Sequence, residues 1–127
     1  MKITSLTDHQ LEPASHEDPK DPGVLKKVLF NVRDFDPECQ MRMLNYAIIQ
    51  PGRSFQLHHH ETLEEVFYIL KGEGEITVGE ETQPISAGMA VLIPRYSPHI
   101  MKNVGQQPLE YLAFGAATGE GATVVHA

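Results

Sequence analysis

The stretch PGRSFQLHHHETLEEVFYILKG, from Pro51 to Gly72, decides how this chain is read. It opens on a turn pair, Pro51-Gly52, passes through three consecutive histidines, and closes on the apolar run VFYIL, stopped by Lys71 and Gly72. A short run rich in aromatic and β-branched residues between turn signals reads as a strand. Side chains on a strand alternate between faces, so His58 and His60 share one face while His59 points to the other. Two imidazoles on one face, two residues apart, can grip a single metal ion. A carboxylate then arrives at Glu64 or Glu65, where the turn ETLE folds back towards the histidines; strand parity admits only one of the pair to the inner face.

The segments on either side have the same character. VLKKVLFNV from Val24, MLNYAII from Met43, EITV from Glu75, AVLI from Ala90, HIMKNV from His99 and LEYLAF from Leu109 are short apolar runs separated by glycine and proline. That rhythm predicts an all-β barrel or sandwich, and no apolar pattern of helical period competes with it. GEGEITVGEETQPI predicts a hairpin turning near Gly79 to Glu81. Residues 1–23, with Pro13, Pro19, Pro22 and Gly23 among many acids, show neither period and read as an N-terminal arm to one barrel domain over 24–127. There is no internal repeat. At 127 residues, 41% of them apolar, the chain is long enough to bury a single core.

Charge narrows the function classes. Seventeen acidic against ten basic residues give -7 with no basic run, which argues against nucleic acid as a partner. The same field disfavours a strongly anionic substrate unless a metal supplies local positive charge. No stretch approaches a membrane span, and Met1 to Gln10 lacks the apolar core of a secretion signal, so a cytoplasmic protein with no membrane partner is expected. Cys39 is the only cysteine; an intramolecular disulfide is impossible and an inert thiol is expected.

A separate segment, GMAVLIPRYSPHIMKN from Gly88 to Asn103, ends one strand at Pro94 and begins another at His99, whose imidazole could complete the set begun by His58 and His60. Three imidazoles and one carboxylate suit Fe, Mn, Ni, Zn, Cu or Co, whereas Mg or Ca would want an all-oxygen shell. By the same alternation Gln56, Phe67, Ile69 and Met101 should face inward; Gln56, Phe67 and Met101 are the expected pocket walls and Ile69, furthest away, plain core. His9, His16, His59 and His126 lack spaced partners and read as structural. Arg53 and Arg95 read as solvated turn residues.

Together these segments resemble the two sequence motifs of the cupin superfamily. In the first, Gly52, His58, His60, Glu65 and Gly72 stand at the family's spacings; in the second, Gly88, Pro94, His99 and Asn103 do. The nine anchors span Gly52 to Asn103. One position departs, Tyr96 standing where the motif has glycine, a position at which a positive φ would suit tyrosine poorly. The resemblance selects Glu65 over Glu64, making His58, His60, Glu65 and His99 the expected ligands of one divalent transition metal. It implies a double-stranded β-helix, a jelly roll of two antiparallel sheets, and frequent homodimers. The expected activity is that of a metal-dependent, dioxygenase-like oxidoreductase acting on a small organic molecule. An isomerase or lyase on the same ion, or a non-catalytic module binding a small molecule or metal, are the alternatives.

Overall fold

A computed structural model describes residues 1–118 and 123–126. Its strands, in chain order, are β1 (Glu12–Pro13), β2 (Leu25–Phe30), β3 (Met41–Ile49), β4 (His58–His60), β5 (Leu63–Lys71), β6 (Glu73–Val78), β7 (Glu81–Ser86), β8 (Ala90–Ile93), β9 (His99–Asn103), β10 (Leu109–Ala117) and β11 (Thr123–Val125). Two single turns of 3-10 helix, Leu6–Asp8 and Val32–Asp34, are the helical elements among the described residues. None of them is long or apolar enough to cross a membrane.

The strands form two antiparallel sheets, ordered β1-β2-β3-β10-β5-β8 and β11-β4-β9-β6-β7. This is the all-β double-stranded β-helix expected from the strand rhythm and the motifs. The hairpin between β6 and β7 turns where GEGEITVGEETQPI puts it, with Val78 opposite Glu81.

Alternation along each strand positions the site. On β5 the buried residues are Glu65, Phe67 and Ile69; on β9 they are His99, Met101 and Asn103; on β10 they include Leu109, Tyr111 and Ala113. Glu65 on β5 and His99 on β9 thus stand at one end of their inward rows, with apolar Phe67, Ile69 and Met101 next along them. Ile49, Ile69, Ile76, Met101 and Leu109 pack into a plug, and the side chains of the histidine motif lie beyond it. Burying such branched and linear side chains is worth about 1.5–3 kcal/mol each.

Two motif residues hold backbone in place. Asn103 is fully buried; its Nδ2 donates to Ile49 O at 2.9 Å and Gln107 O at 2.8 Å, and its Oδ1 accepts from Gly105 N at 2.9 Å. Gly72 has φ +94, and a Cβ there would lie 2.6 Å from Pro108 O, so the turn between β5 and β6 admits no side chain.

The arm also belongs to the barrel. β1 pairs with β2, setting Glu12 opposite Lys26, and Glu17 beyond it is buried. Its Oε1 accepts from Gly23 N and its Oε2 from Gln56 N, both at 2.8 Å, which ties residues 17 to 23 to the approach to β4.

Candidate metal centre

The cluster begins with a cross-strand pair. His58 on β4 stands opposite His99 on β9, and directly opposed residues bring their Cβ atoms to about 5 Å. His60 follows two residues on, on the same face. Glu65 enters from the facing sheet, where β5 begins only three residues after β4 ends. The ligating atoms of the four side chains all lie within 4.8 Å of one another, and His58, Glu65 and His99 are buried. The cluster can hold a metal ion.

The second ring nitrogen of each histidine is already engaged. His58 Nδ1 donates to Gln56 O at 2.6 Å, His99 Nδ1 donates to Ser97 O at 2.9 Å, and His60 Nδ1 meets Thr123 Oγ1 of β11 at 2.9 Å. Tethering Nδ1 in this way fixes ring orientation and leaves Nε2 to ligate. Nε2 of His60 and of His99 is buried without a hydrogen-bond partner. Glu65 Oε1 lies 2.6 Å from the first and 3.6 Å from the second, close but not aligned for a hydrogen bond. Buried ring nitrogens that converge on a carboxylate without an aligned hydrogen bond call for a further partner, and three imidazoles with one carboxylate fit a borderline divalent metal.

Electrostatics agree with that chemistry. Burial, reinforced by the neighbouring His16, pushes His58 down to about 3 and keeps its ring neutral, the form that ligates. Burial alone would raise Glu65, but the imidazoles of His60 and His99 outweigh it and hold the carboxylate ionised. Tyr111 is driven well above the usual tyrosine range, first by burial and then by the Glu65 and Glu17 carboxylates.

A cavity of about 400 Å³ opens on the cluster. Of the expected walls, Phe67 lines it. Met101 is fully buried in the apolar plug instead, alongside Ile69. Gln56 is a correction, because its side chain is exposed and Phe55 takes the inward place. Parity holds only along a pleated strand, and pairing starts at His58; residues 55–57 lie between that strand and an isolated bridge at Ser54. His16 is a second correction to the sequence reading. Its ring stacks on His58, centroids 3.9 Å apart, lines the cavity, and binds Glu17 Oε2 through Nδ1 at 2.8 Å. His59 and His126 pair with each other at 2.7 Å, off the cluster.

Tyr111, Asn45, Lys26 and Arg42 also line the cavity and escaped the sequence reading. The alternation of LEYLAF carried a signal for Tyr111, since Leu109, Tyr111 and Ala113 share a face; nothing in the aperiodic arm carried one for His16. At the motif's departure the backbone does take the left-handed form. Tyr96 has φ 64, and its N–H donates to His60 O at 2.7 Å, joining the turn before β9 to β4.

Fold and site together define a small β-barrel protein with a candidate metal centre of three histidines and one glutamate. The family model described as the cupin domain matches residues 45–115, more than half of the chain, and the chain belongs to that family. Among curated relatives, the oxalate-binding protein of Thermotoga maritima is 38% identical over 65 residues, covering 51% of this chain and 54% of that one. The protein MJ1618 of Methanocaldococcus jannaschii is 39% identical over 66 residues, covering 52% and 53%. The matches span about half the length of these two relatives. A solved Thermotoga maritima structure described as a predicted oxalate decarboxylase superposes with a TM-score of 0.80 at 26% identity, covering 91% of this chain and 99% of that one.

Proposed function

We propose that this cupin binds one divalent transition metal through His58, His60, Glu65 and His99 and acts there on a small organic molecule, as an oxidoreductase of the dioxygenase kind. The observation that carries the metal is the geometry of the imidazoles: each Nδ1 is held by protein, and unpartnered Nε2 atoms converge with Glu65. When bound, such an ion supplies Lewis acidity and, where redox-active, electron-transfer chemistry. The chain's own residues supply the rest. Phe67 and Phe55 make an apolar wall, His16 lines the cavity from the arm, and Tyr111 lines it from β10. In this reading the protein works in the cytoplasm, as a homodimer of the kind the family resemblance implies.

A different observation favours isomerase or lyase chemistry as the second reading. His16 Nε2 and the neutral Tyr111 hydroxyl offer two atoms at the cavity wall able to hold or pass a proton. A relative that is an oxalate-binding protein supports the third, binding without turnover.

Elemental analysis of protein purified without chelator or nickel affinity tests the ligand set. We expect about one metal per chain in the natural protein and a large loss in His58→Ala and His99→Ala; full stoichiometry in both variants would refute the assignment. An oxygen electrode then separates the chemistries, because oxidoreduction with dioxygen consumes it as substrate disappears, whereas isomerisation and lysis leave it untouched.

A further inference from the structure

A bulge in β3 gives the cavity a cation that strand alternation alone would send outward. Met43 stands opposite Gly115 and Met41 opposite Ala116, so Arg42 is an extra residue between two consecutive partners on β10. An inserted residue of this kind re-aims its side chain, and Arg42 and Met43 both line the cavity. Arg42 has neither an ion pair nor a hydrogen bond among the described residues. Lys26, opposite inward-facing Ala47, lines the cavity as well. Among the wall's permanently charged side chains, these two cations meet a single carboxylate, Glu65. The permanent charges of the lining side chains are thus opposite in balance to the -7 of the whole chain, and a divalent ion would add positive charge beside them.

The neighbouring inward residue on β3 adds a second requirement. Asn45 Oδ1 is buried without a hydrogen-bond partner, and an unpaired buried acceptor is destabilising, so a ligand hydroxyl would relieve it. Met43 lies on the same sheet row as Glu65, linked through Gly115. At the usual strand spacing their backbones are about 10 Å apart, which leaves room for only a few carbon atoms between a guanidinium and the cluster.

We propose that Arg42 is a specificity residue that selects a short organic carboxylate carrying a hydroxyl group. The guanidinium fork takes the carboxylate and Asn45 accepts from the hydroxyl. A guanidinium matches a carboxylate oxygen for donor. A phosphate dianion would want further N–H donors, and most of the wall around Arg42 is β2, β3, β5 and β10, whose ladder amides pair with neighbouring strands. The proposal rests on the metal reading only for the far end of the ligand.

Calorimetry on metal-loaded protein with lactate, malate and tartrate, each against its amide, tests it. Inorganic phosphate is run alongside, and metal content is measured in every sample. We expect at least one acid to bind tenfold or more tighter than its amide, Arg42→Gln to bring the two within twofold at unchanged metal content, and Arg42→Lys to restore part of the gap. The proposal is overturned if none of the acids binds, if acid and amide bind alike to the natural protein, if the preference survives Arg42→Gln, or if phosphate binds more tightly than the acids. Failure of the metal reading is separate, because it shows as protein without metal, whether or not the Arg42-dependent preference remains.

Discussion

At the scale of single residues, two second-motif positions that do not ligate, Asn103 and Tyr96, make opposite predictions. Asn103 satisfies three backbone groups from a fully buried position, so Asn103→Ala leaves them unpaired and should cost about 3 kcal/mol in urea unfolding. A loss under about 1 kcal/mol would mean that water takes over the amide's bonds. Tyr96 holds φ 64, a region that costs a side-chain-bearing residue about 1–2 kcal/mol. Its ring is largely exposed. Glycine gives back part of the gain through unfolded-state entropy, so Tyr96→Gly should stabilise by about 0.5–1 kcal/mol, and a lower unfolding midpoint would show that the Arg95–Tyr96 contact outweighs the strain.

At the scale of elements, the arm depends on Glu17. Burial would raise this carboxyl, but His16 and the amides of Gln56 and Gly23 outweigh it and hold it below the ordinary 4.5. A carboxylate with a depressed folded value stabilises in full above its unfolded value, and the contribution disappears as pH falls through the folded one. Glu17→Gln should therefore destabilise by about 1–2 kcal/mol at neutral pH, and the gap between variant and natural protein should narrow as pH drops below 4.5. A gap that stays constant down to acid unfolding would show that the charge contributes nothing. Elements are also where legibility in the sequence changes. Strands with clean alternation could be read in advance, β5 and β9 with their inward Phe67, Ile69 and Met101, because period two is a local property, whereas the choice of Glu65 over Glu64 needed the motif. Positions that depend on another segment could not. Gln56 is turned outward where the pleat is interrupted, Arg42 is turned inward by a bulge that exists only in register with β10, and His16 reaches the site through an arm without periodicity. The four-residue cluster was readable because motif spacing stands in for that long-range information.

At the scale of the whole molecule, a bound ion couples the sheets, since β4 and β9 belong to one and β5 to the other. Metal that binds only the folded chain should raise stability by about 4 kcal/mol at a thousandfold excess over its dissociation constant. Scanning calorimetry with and without chelator checks this; a melting temperature indifferent to metal would show that the cluster does not bind it in the folded state. The order of strands in the larger sheet has its own consequence. β3 and β5 are not neighbours until β10, which follows both in the chain, slots between them. A nascent chain emerging from the ribosome therefore carries two unmatched strand edges until residues 109–117 have left the exit tunnel, and must be kept from sticking to other chains in the meantime.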